Sequence, residues 1–452
     1  MHLSRNQLIL GGLALAALIA IGTSRLVGPS EPTVEAGVQV GEDQDPHTVV
    51  FIVMDTVRAE NTNLCGYARP NTPTLNGLRE SGAAVSCNAH TPSFWTLPSH
   101  ASYFTGLPVV EHGAFKWGDR LSEDASTLAE DMSARGYRTV MLAGNPLFKK
   151  ITGLQQGFDF AYVQSRHTGG RPLVNAVRKL LDDVPTDEKL FLFVNIFDAH
   201  DPYPAIPEGV DWVEPQGPLA LFSTPPNWLR PMQNYTDYTR GEMPEGESEE
   251  LLKGVRNGYD YGIYKADQIL GSVLQALNDA PRAQRSSRLL VTSDHGEFLG
   301  EHERLRHNCC VFEAVTRVPL LFKDSSLKEQ PDLSGNLSAL WAYHLVKDGR
   351  LPDEAGIPTA LGVSGGGDHP RVQVAMWSSD TDKVVFDERP HRFDLATDPS
   401  EQTPLRLGQH PLRSELSAMT VTARRTLSRS PAADPEMDEL LQELGYVDPD
   451  RE

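Results

Sequence analysis

Basic residues are scarce in this sequence. Of its 452 residues, 41 are Lys or Arg and 61 are Asp or Glu, so the formal net charge is 41 − 61 = −20. General binding of nucleic acids needs basic surface to neutralise phosphates, and this balance argues against it. A local pocket in which a metal ion receives an anionic substrate is not excluded.

Cysteine is scarce as well. The chain has four cysteines, Cys65, Cys87, Cys309 and Cys310, and no Cys-x-x-Cys zinc pattern. Four thiols are too few for a disulfide-dense scaffold but are compatible with an oxidising compartment. Cys65 and Cys87 could pair, whereas we expect that the adjacent Cys309 and Cys310 do not easily bridge each other.

Long apolar runs are absent except at the N-terminus, where Leu8 to Gly22 follows Arg5. This pattern predicts a signal peptide or, slightly favoured, an uncleaved signal anchor over residues 1–23. The Gly-, Pro- and acid-rich residues 24–47 are expected to form a linker. We therefore expect an extracytoplasmic protein, periplasmic or at the cell surface, that is attached to the membrane through its N-terminal segment.

Polar side chains follow several apolar, strand-like runs. Thr48 to Met54 is followed by Asp55, Lys189 to Phe197 by Asp198 and His200, and Arg288 to Thr292 by Asp294 and His295. Runs this apolar are typical of strands that are buried on both faces. In open α/β sheets the active site lies beyond the carboxyl ends of such strands, so the repeated coincidence indicates a catalytic site there.

The stretch Thr91 to Gly106, TPSFWTLPSHASYFTG, contributes a hydroxyl group. Proline is favoured in the first turn of a helix, so a helix is predicted from Pro98 to Phe104. The Thr96 hydroxyl would lie at the positive end of this helix, where it could attack a charged ester or ligate a metal ion. The alternative is an ordinary threonine helix cap.

The rest of the chain predicts two further features. The proline-rich stretch from Tyr203 to Gly246 has little periodicity, and so long a loop is expected to be disordered or to form a substrate wall or lid. Beyond the catalytic domain, residues 48–323, the pattern weakens into short strands and a helix at Met437 to Leu444. We expect residues 324–452 to form a smaller α+β subdomain and a tail.

Asp55, Thr96, Asp294 and His295 together make a plausible metal site. Hard oxygen ligands with one imidazole suit Mn²⁺, Mg²⁺, Ca²⁺ or Zn²⁺. A metal ion in contact with Thr96 would lower the pKa of its hydroxyl group and so make the alkoxide available as a nucleophile.

Several segments together resemble the sulfatase family of the alkaline-phosphatase-like superfamily. They include VVFIVMDTVRAENTNLCGYARPNTPTLNGL, WTLPSHASYFTGLPVVEHG, FLFVNIFDAHDPY and LLVTSDHGEFLGEH, in the family's order. The resemblance implies an α/β, alkaline-phosphatase-like sandwich with a central, largely parallel sheet and a smaller C-terminal α+β subdomain. It also implies one divalent metal ion and a covalent sulfo- or phospho-enzyme intermediate.

The resemblance also implies roles for individual residues. Asp55, Asp294 and His295 match metal ligands, Thr96 matches the nucleophile, and His200 matches a histidine that contacts the ester or protonates the leaving group. His112 and His307 fall where the family keeps pocket residues. His100 stands where many sulfatases have an arginine that fixes the nucleophile or binds the anion.

The chain departs from the family pattern at the nucleophile. Sulfatases usually carry a cysteine that is oxidised to formylglycine, but Thr96 stands there, and a threonine ester has no elimination route for release. Threonine nucleophiles in this superfamily accompany phosphodiester cleavage and phosphoglycerol or phosphoethanolamine transfer. We therefore expect a hydrolase of sulfate or, preferentially, phosphate esters, on a glycan or lipid head group. The alternatives are a phosphotransferase and a non-catalytic member that binds an anionic glycan.

Overall fold

The computed structural model describes residues 45–427, apart from residues 117, 165–168, 221–228, 308, 354–355 and 365–370. The predicted N-terminal segment, most of the linker and the predicted helix from Met437 to Leu444 lie outside the described residues. Within the described ranges, no helix is long and apolar enough to cross a membrane.

The described strands follow one another along the chain with short and long connections. They are β1 (Thr48–Met54), β2 (Ala84–His90), β3 (Arg138–Ala143), β4 (Phe160–Val163), β5 (Leu190–Ile196), β6 (Ser287–Thr292), β7 (Phe298–Leu299), β8 (Leu305–Arg306), β9 (Arg317–Asp324), β10 (Leu337–Ser338), β11 (Thr359–Ser364), β12 (Arg371–Ser379), β13 (Asp382–Phe386), β14 (Pro390–Asp394) and β15 (Leu405–Arg406).

The described α-helices lie mostly between these strands. They are α1 (Pro73–Glu80), α2 (Thr96–Thr105), α3 (Val109–His112), α4 (Leu128–Ala134), α5 (Arg171–Asp183), α6 (Leu229–Thr239), α7 (Glu245–Asp279), α8 (Glu313–Thr316), α9 (Ala342–Asp348) and α10 (Arg413–Leu427).

The larger sheet has the strand order β10-β2-β9-β6-β1-β5-β3-β4 among the described residues. β1 lies near its centre and pairs in parallel with β5 and β6, so that Thr48 stands opposite both Leu190 and Ser287. β9 runs antiparallel between β2 and β6. The predicted central, largely parallel sheet is confirmed.

Alternate residues of β1 enter two separate hydrophobic cores. Phe51 lies in a core with side chains of α2, α4 and α9, whereas Ile52 lies in a core with side chains of α1, α5 and α7. Both residues are fully buried. Helices cover both faces of the sheet, which is why its central strands are continuous apolar runs rather than alternating ones.

The second sheet is antiparallel and joins β11 to β15 in chain order. One of its faces packs against α3 and α10, with Val374 and Leu416 in the shared core. Trp377 and Phe393 enter the core on one side of the larger sheet. The predicted smaller α+β unit is thus present. However, β10 follows the predicted boundary after residue 323 and still pairs with β2 in the larger sheet.

The stretch from Tyr203 to Gly246 differs from the prediction of a continuous loop, because it contains α6. Pro231 is the third residue of that helix, in the first turn, where a missing backbone N–H costs no intrahelical hydrogen bond. After it comes the long helix α7, Glu245–Asp279.

Both cysteine pairs form disulfides. Cys65 pairs with Cys87, as the sequence allowed. Cys309 also pairs with Cys310, so the expectation that these neighbours would not bridge was wrong. The backbone at Cys310 adopts the left-handed region, with φ of +73°, and this uncommon turn accompanies the pairing of adjacent residues.

Candidate active site

The candidate site lies at the edge of the larger sheet where its parallel strands end. Asp55 directly follows β1, Asp294 and His295 follow β6, and Asn145 follows β3. Parallel strands present their carboxyl ends at one edge, so residues far apart in the sequence meet there.

Asp55, Asp294 and His295 form one buried group whose ligand atoms all lie within 4.8 Å of one another. His295 Nε2 is 3.3 Å from Asp294 Oδ2 and 3.7 Å from Asp55 Oδ1. Neither of these two carboxylate oxygens accepts a hydrogen bond from the residues that the structure describes. Buried oxygens of this kind are costly without a partner, and a divalent cation fits the donor set.

The other oxygen of each carboxylate is held by amide groups. Asp55 Oδ2 accepts from Asn145 Nδ2 at 2.9 Å and from Asn195 Nδ2 at 3.2 Å. Asp294 Oδ1 accepts from the backbone N–H groups of Thr56 at 3.2 Å and His295 at 3.1 Å. These bonds orient the two carboxylates so that Asp55 Oδ1 and Asp294 Oδ2 remain for a metal ion.

The electrostatics of the group favour a cation. Burial, followed by the neighbouring Asp294 carboxylate, raises the pKa of Asp55 to about 7, and burial raises the pKa of Asp294 to about 7. Burial lowers the pKa of His295, which keeps the ring neutral. The ring is 3.0 Å from Gly296 O through Nδ1, so the Nδ1–H tautomer presents Nε2 as the ligand nitrogen.

Thr96 is the first residue of α2, and Trp95 occupies the N-cap position. The helix thus begins two residues earlier than predicted, and Thr96 is not its cap. The Thr96 hydroxyl group lies 3.4 Å from His295 Nε2 and 3.5 Å from Asn145 Nδ2, and the side chain is fully buried. The structure therefore brings Thr96 together with Asp55, Asp294 and His295 at the positive end of a helix.

His100 lies one turn further along α2 and is fully buried. Its Nδ1 donates to Thr96 O at 2.8 Å, and its ring packs edge-on against Phe148 at 4.7 Å and Phe193 at 5.8 Å. Burial lowers the pKa of His100 to about 3. A neutral ring among aromatic side chains cannot supply the positive charge of the arginine that the resemblance places there, but it fixes the backbone of Thr96.

His200 and His307 stand in a row with His295. The His307 ring centre is 4.3 Å from that of His295 and 5.0 Å from that of His200. His307 Nδ1 is 3.3 Å from Glu297 Oε1. Burial lowers the pKa of His200 to about 4 and that of His307 well below its usual range.

His112 is placed differently from the other candidate residues. It ends α3, where its Nδ1 accepts from the backbone N–H of Ala114 at 3.1 Å and its Nε2 lies 2.9 Å from Ser102 Oγ. The Nε2 contact therefore joins α3 to α2, and the Nδ1 bond holds the turn that follows α3.

Sequence reasoning missed two residues of the site, Asn145 and Glu297. Asn145 follows β3, so the strand-end pattern that singled out Asp55 could have identified it. Glu297 lies within LLVTSDHGEFLGEH, two residues after His295, but only the fold shows that it contacts His307.

Comparisons with known proteins identify the family and the fold. The sulfatase family model matches residues 47–344. Arylsulfatase K of Xenopus laevis is 23% identical over 362 residues, which cover 69% of this chain and 65% of that protein. The uncharacterized sulfatase YidJ of Escherichia coli strain K12 is 21% identical over 321 residues, which cover 61% of this chain and 62% of that protein. The chain thus spans less than two thirds of the length of these curated relatives.

Solved structures with similar folds include a putative sulfatase from Bacteroides thetaiotaomicron, with a TM-score of 0.58 and 17% identity over 87% of this chain and 96% of that one. The phosphonate monoester hydrolase of Agrobacterium radiobacter has a TM-score of 0.62 and 15% identity over 85% of this chain and 96% of that one. At these identities the likeness shows the fold. Because the family model matches more than half of the chain, the protein belongs to the sulfatase family.

Proposed function

We propose that this protein is a metal-dependent hydrolase of sulfate or phosphate esters that uses Thr96 as its nucleophile. The observation that carries the proposal is the buried Thr96 hydroxyl group, 3.4 Å from His295 Nε2 beside two buried carboxylates. Its place at the start of α2 also aims the positive end of the helix dipole at an incoming anion.

Asp55, Asp294 and His295 would hold one divalent metal ion, with Thr96 beside it. Mn²⁺, Zn²⁺, Mg²⁺ and Ca²⁺ all fit this donor set, and the imidazole favours Mn²⁺ or Zn²⁺ over the ions that prefer oxygen ligands alone. When bound, such an ion lowers the pKa of a neighbouring hydroxyl group and offsets negative charge on the substrate.

With a phosphate ester as substrate, the phosphoryl group is transferred first to Thr96 and then to water. Thr96 Oγ1 forms a bond to phosphorus while the bond from phosphorus to the leaving oxygen breaks, and the hydroxyl proton of Thr96 is released to water. A water molecule then attacks phosphorus, its hydroxide remains on the product, and its other proton returns to Thr96 Oγ1 as that ester bond breaks.

His307 and Glu297 would supply the proton for the leaving oxygen. Burial, followed by the Asp201 carboxylate, raises the pKa of Glu297 well above its usual range, which favours a protonated carboxyl group, and burial lowers the pKa of His307, which favours a neutral ring with one N–H. The proton on Glu297 passes to His307 Nδ1 while the proton on His307 Nε2 passes to the leaving oxygen, and Glu297 then regains a proton from water. His200, next to His307, would contact the bound ester.

Phosphate esters are favoured over sulfate esters at this site. Sulfatases usually release sulfate from formylglycine by elimination, whereas an ester on Thr96 has no elimination route and must be hydrolysed or transferred.

A protein with a similar fold, at a TM-score of 0.62, has D-glucosamine-2-N,6-O-disulfate as its substrate, so this architecture accepts anionic sugar esters. We infer an anionic ester on a glycan or a lipid head group as the substrate of this chain. Transfer of the group to an alcohol acceptor is the second candidate, because the same Thr96 intermediate serves both outcomes.

The two disulfides support an oxidising, extracytoplasmic location. Attachment to the membrane through residues 1–23 stays a prediction from the sequence.

The experiment that tests the function is turnover of an aryl sulfate, an aryl phosphate diester and an aryl phosphonate, with metal content measured on the same sample. We expect diester or phosphonate cleavage that is lost in Thr96→Ala. Turnover that survives Thr96→Ala would contradict the role of Thr96. A protein that contains metal but is active only when an alcohol is added would favour the transferase.

A further inference from the structure

The segment that follows His307 is held by the second sheet. The backbone N–H of Cys310 donates to Gln373 Oε1 on β12 at 3.0 Å, and Lys383 Nζ on β13 donates to Val311 O at 2.6 Å. The segment Cys310–Glu313 is therefore hydrogen-bonded to two strands of the smaller sheet.

Glu313, at the end of this segment, lies in a buried ionic cluster. Its Oε1 accepts from Lys383 Nζ at 3.1 Å and from Trp377 Nε1 at 2.7 Å, and its backbone N–H donates to Glu401 Oε2 at 2.6 Å. Lys383 Nζ also donates to Glu401 Oε1 at 2.7 Å. Lys383 is 0% exposed, which lysine tolerates only when its charge is paired, so the cluster fixes the segment firmly.

His307 stands three residues before the segment and reaches the candidate active site. Its ring lies between those of His295 and His200, and its Nδ1 contacts Glu297. Only residues 308 and 309 separate His307 from Cys310 in the sequence.

We propose that the second sheet positions His307 for proton transfer to the leaving group. Gln373 and Lys383 act as positioning residues through the segment Cys310–Glu313 and touch neither substrate nor metal ion. This inference rests on the proposed function, because it assigns the proton transfer to His307. Proton transfer needs a heavy-atom distance of about 2.6–3.2 Å, so a small displacement of the ring lowers its rate.

The test compares Gln373→Leu with the control Val384→Ala in the full chain. Gln373→Leu removes one hydrogen-bond acceptor from Cys310 and keeps most of the side-chain volume. Val384 neighbours Lys383 on β13, but its buried side chain packs in the core shared with α10, away from the segment. Glu401→Gln is a second variant of the contacts that hold the segment Cys310–Glu313, because it keeps the side-chain shape while changing the contact with Lys383.

The readout is kcat on two substrates that carry the same phosphoryl group, a 4-nitrophenyl ester and an alkyl ester. The nitrophenolate leaves without a proton, whereas the alkoxide needs one. We expect Gln373→Leu and Glu401→Gln to lower kcat on the alkyl ester about tenfold, with the nitrophenyl ester within about twofold and KM unchanged. Val384→Ala should lower the unfolding temperature and leave the ratio of the two kcat values unchanged.

A second readout does not depend on activity. In the full chain labelled with ¹⁵N-histidine, the ring signals of His307, assigned with a His307→Gln variant, should shift in Gln373→Leu and stay in place in Val384→Ala. The inference would be overturned if the ratio of the two kcat values were unchanged in both Gln373→Leu and Glu401→Gln. It would also be overturned if the His307 signals did not shift in Gln373→Leu. If the wild-type protein cleaves no ester, the proposed function fails, and the ring signals still decide whether the second sheet positions His307.

Discussion

The hydroxyl group of Thr96 lies 3.4 Å from Nε2 of His295, although 199 positions separate the two residues in the sequence. One residue begins α2 and the other follows β6, and both are fully buried. The same nitrogen faces the carboxylates of Asp55 and Asp294, so a metal ion held there would adjoin the hydroxyl group. In the function that we propose, this relationship would join metal binding to activation of the Thr96 nucleophile.

The metal site is tested by Asp294→Asn. The amide keeps the shape of the side chain but removes a negative charge, so we expect the metal content to fall and the affinity for Mn²⁺ or Zn²⁺ to drop at least about tenfold. Added metal should raise the unfolding temperature of the wild-type protein and leave that of Asp294→Asn nearly unchanged. The control is Asp267→Asn, the same change at a buried carboxylate that accepts hydrogen bonds from the first turn of α1. This variant should contain as much metal as the wild-type protein. Equal metal content in all three proteins would contradict the assignment.

The stability of the metal-free protein should fall as pH rises. Asp55 and Asp294 have pKa values of about 7 in the folded chain, above the ordinary value of 3.8. Between these values the folded state binds protons that the unfolded state has lost, so stabilisation present below about pH 4 disappears as pH rises through about 7. The measurement is the unfolding temperature from pH 4 to pH 8 with and without metal. Metal binding should oppose the decline, and a metal-free protein that becomes more stable over this window would argue against the prediction.

Glu297→Gln tests the source of the proton. The amide has no carboxyl proton to give to His307, so kcat on an alkyl ester should fall by about a hundredfold while a 4-nitrophenyl ester is affected far less. Metal content should be unchanged, because Glu297 contacts His307 rather than the oxygens of the metal group. Equal losses on both esters would indicate a structural role instead.

The disulfide between Cys65 and Cys87 should affect stability and leave the chemistry unchanged. It closes a loop with a sequence separation of 22 residues. Replacing both cysteines by serine should lower the free energy of unfolding by about 3 kcal/mol, because the unfolded chain gains conformational freedom. Chemical denaturation measures this change, and kcat/KM should be retained. A large loss of kcat/KM in a protein that remains folded would contradict this prediction, because the disulfide would then also support the active site.

The larger sheet and three of its site residues could be predicted because their signals are local. An apolar run followed by Asp55, or by Asp294 and His295, indicates both a buried strand and the edge at which it ends. The helix at Thr96 was also foreseeable, although its start was misjudged by two residues because Trp95 gives no capping signal.

The remaining features depend on contacts that no local pattern encodes. Asn145 follows a strand as Asp55 does, but only the fold shows that it bonds the Asp55 carboxylate, 90 positions away in the sequence. Likewise, only the fold brings Glu297 into contact with His307. His112 illustrates the opposite case: the family resemblance placed it in the pocket, whereas its ring nitrogens lie against Ser102 Oγ on α2 and the backbone N–H of Ala114. The pairing of Cys309 with Cys310 accompanies a left-handed backbone at Cys310, and no sequence pattern indicates this conformation.

The most direct test of the central claim is the mass of the protein during turnover. A phosphate diester or phosphonate is mixed with the metal-loaded protein, the reaction is quenched in acid within milliseconds, and tryptic peptides are examined by mass spectrometry. We predict that one phosphoryl-type group is attached to the peptide at Thr96, that it disappears as the substrate is exhausted, and that it is absent in Thr96→Ala. Turnover with no adduct on Thr96, or an adduct on another residue that persists in Thr96→Ala, would contradict Thr96 as the nucleophile.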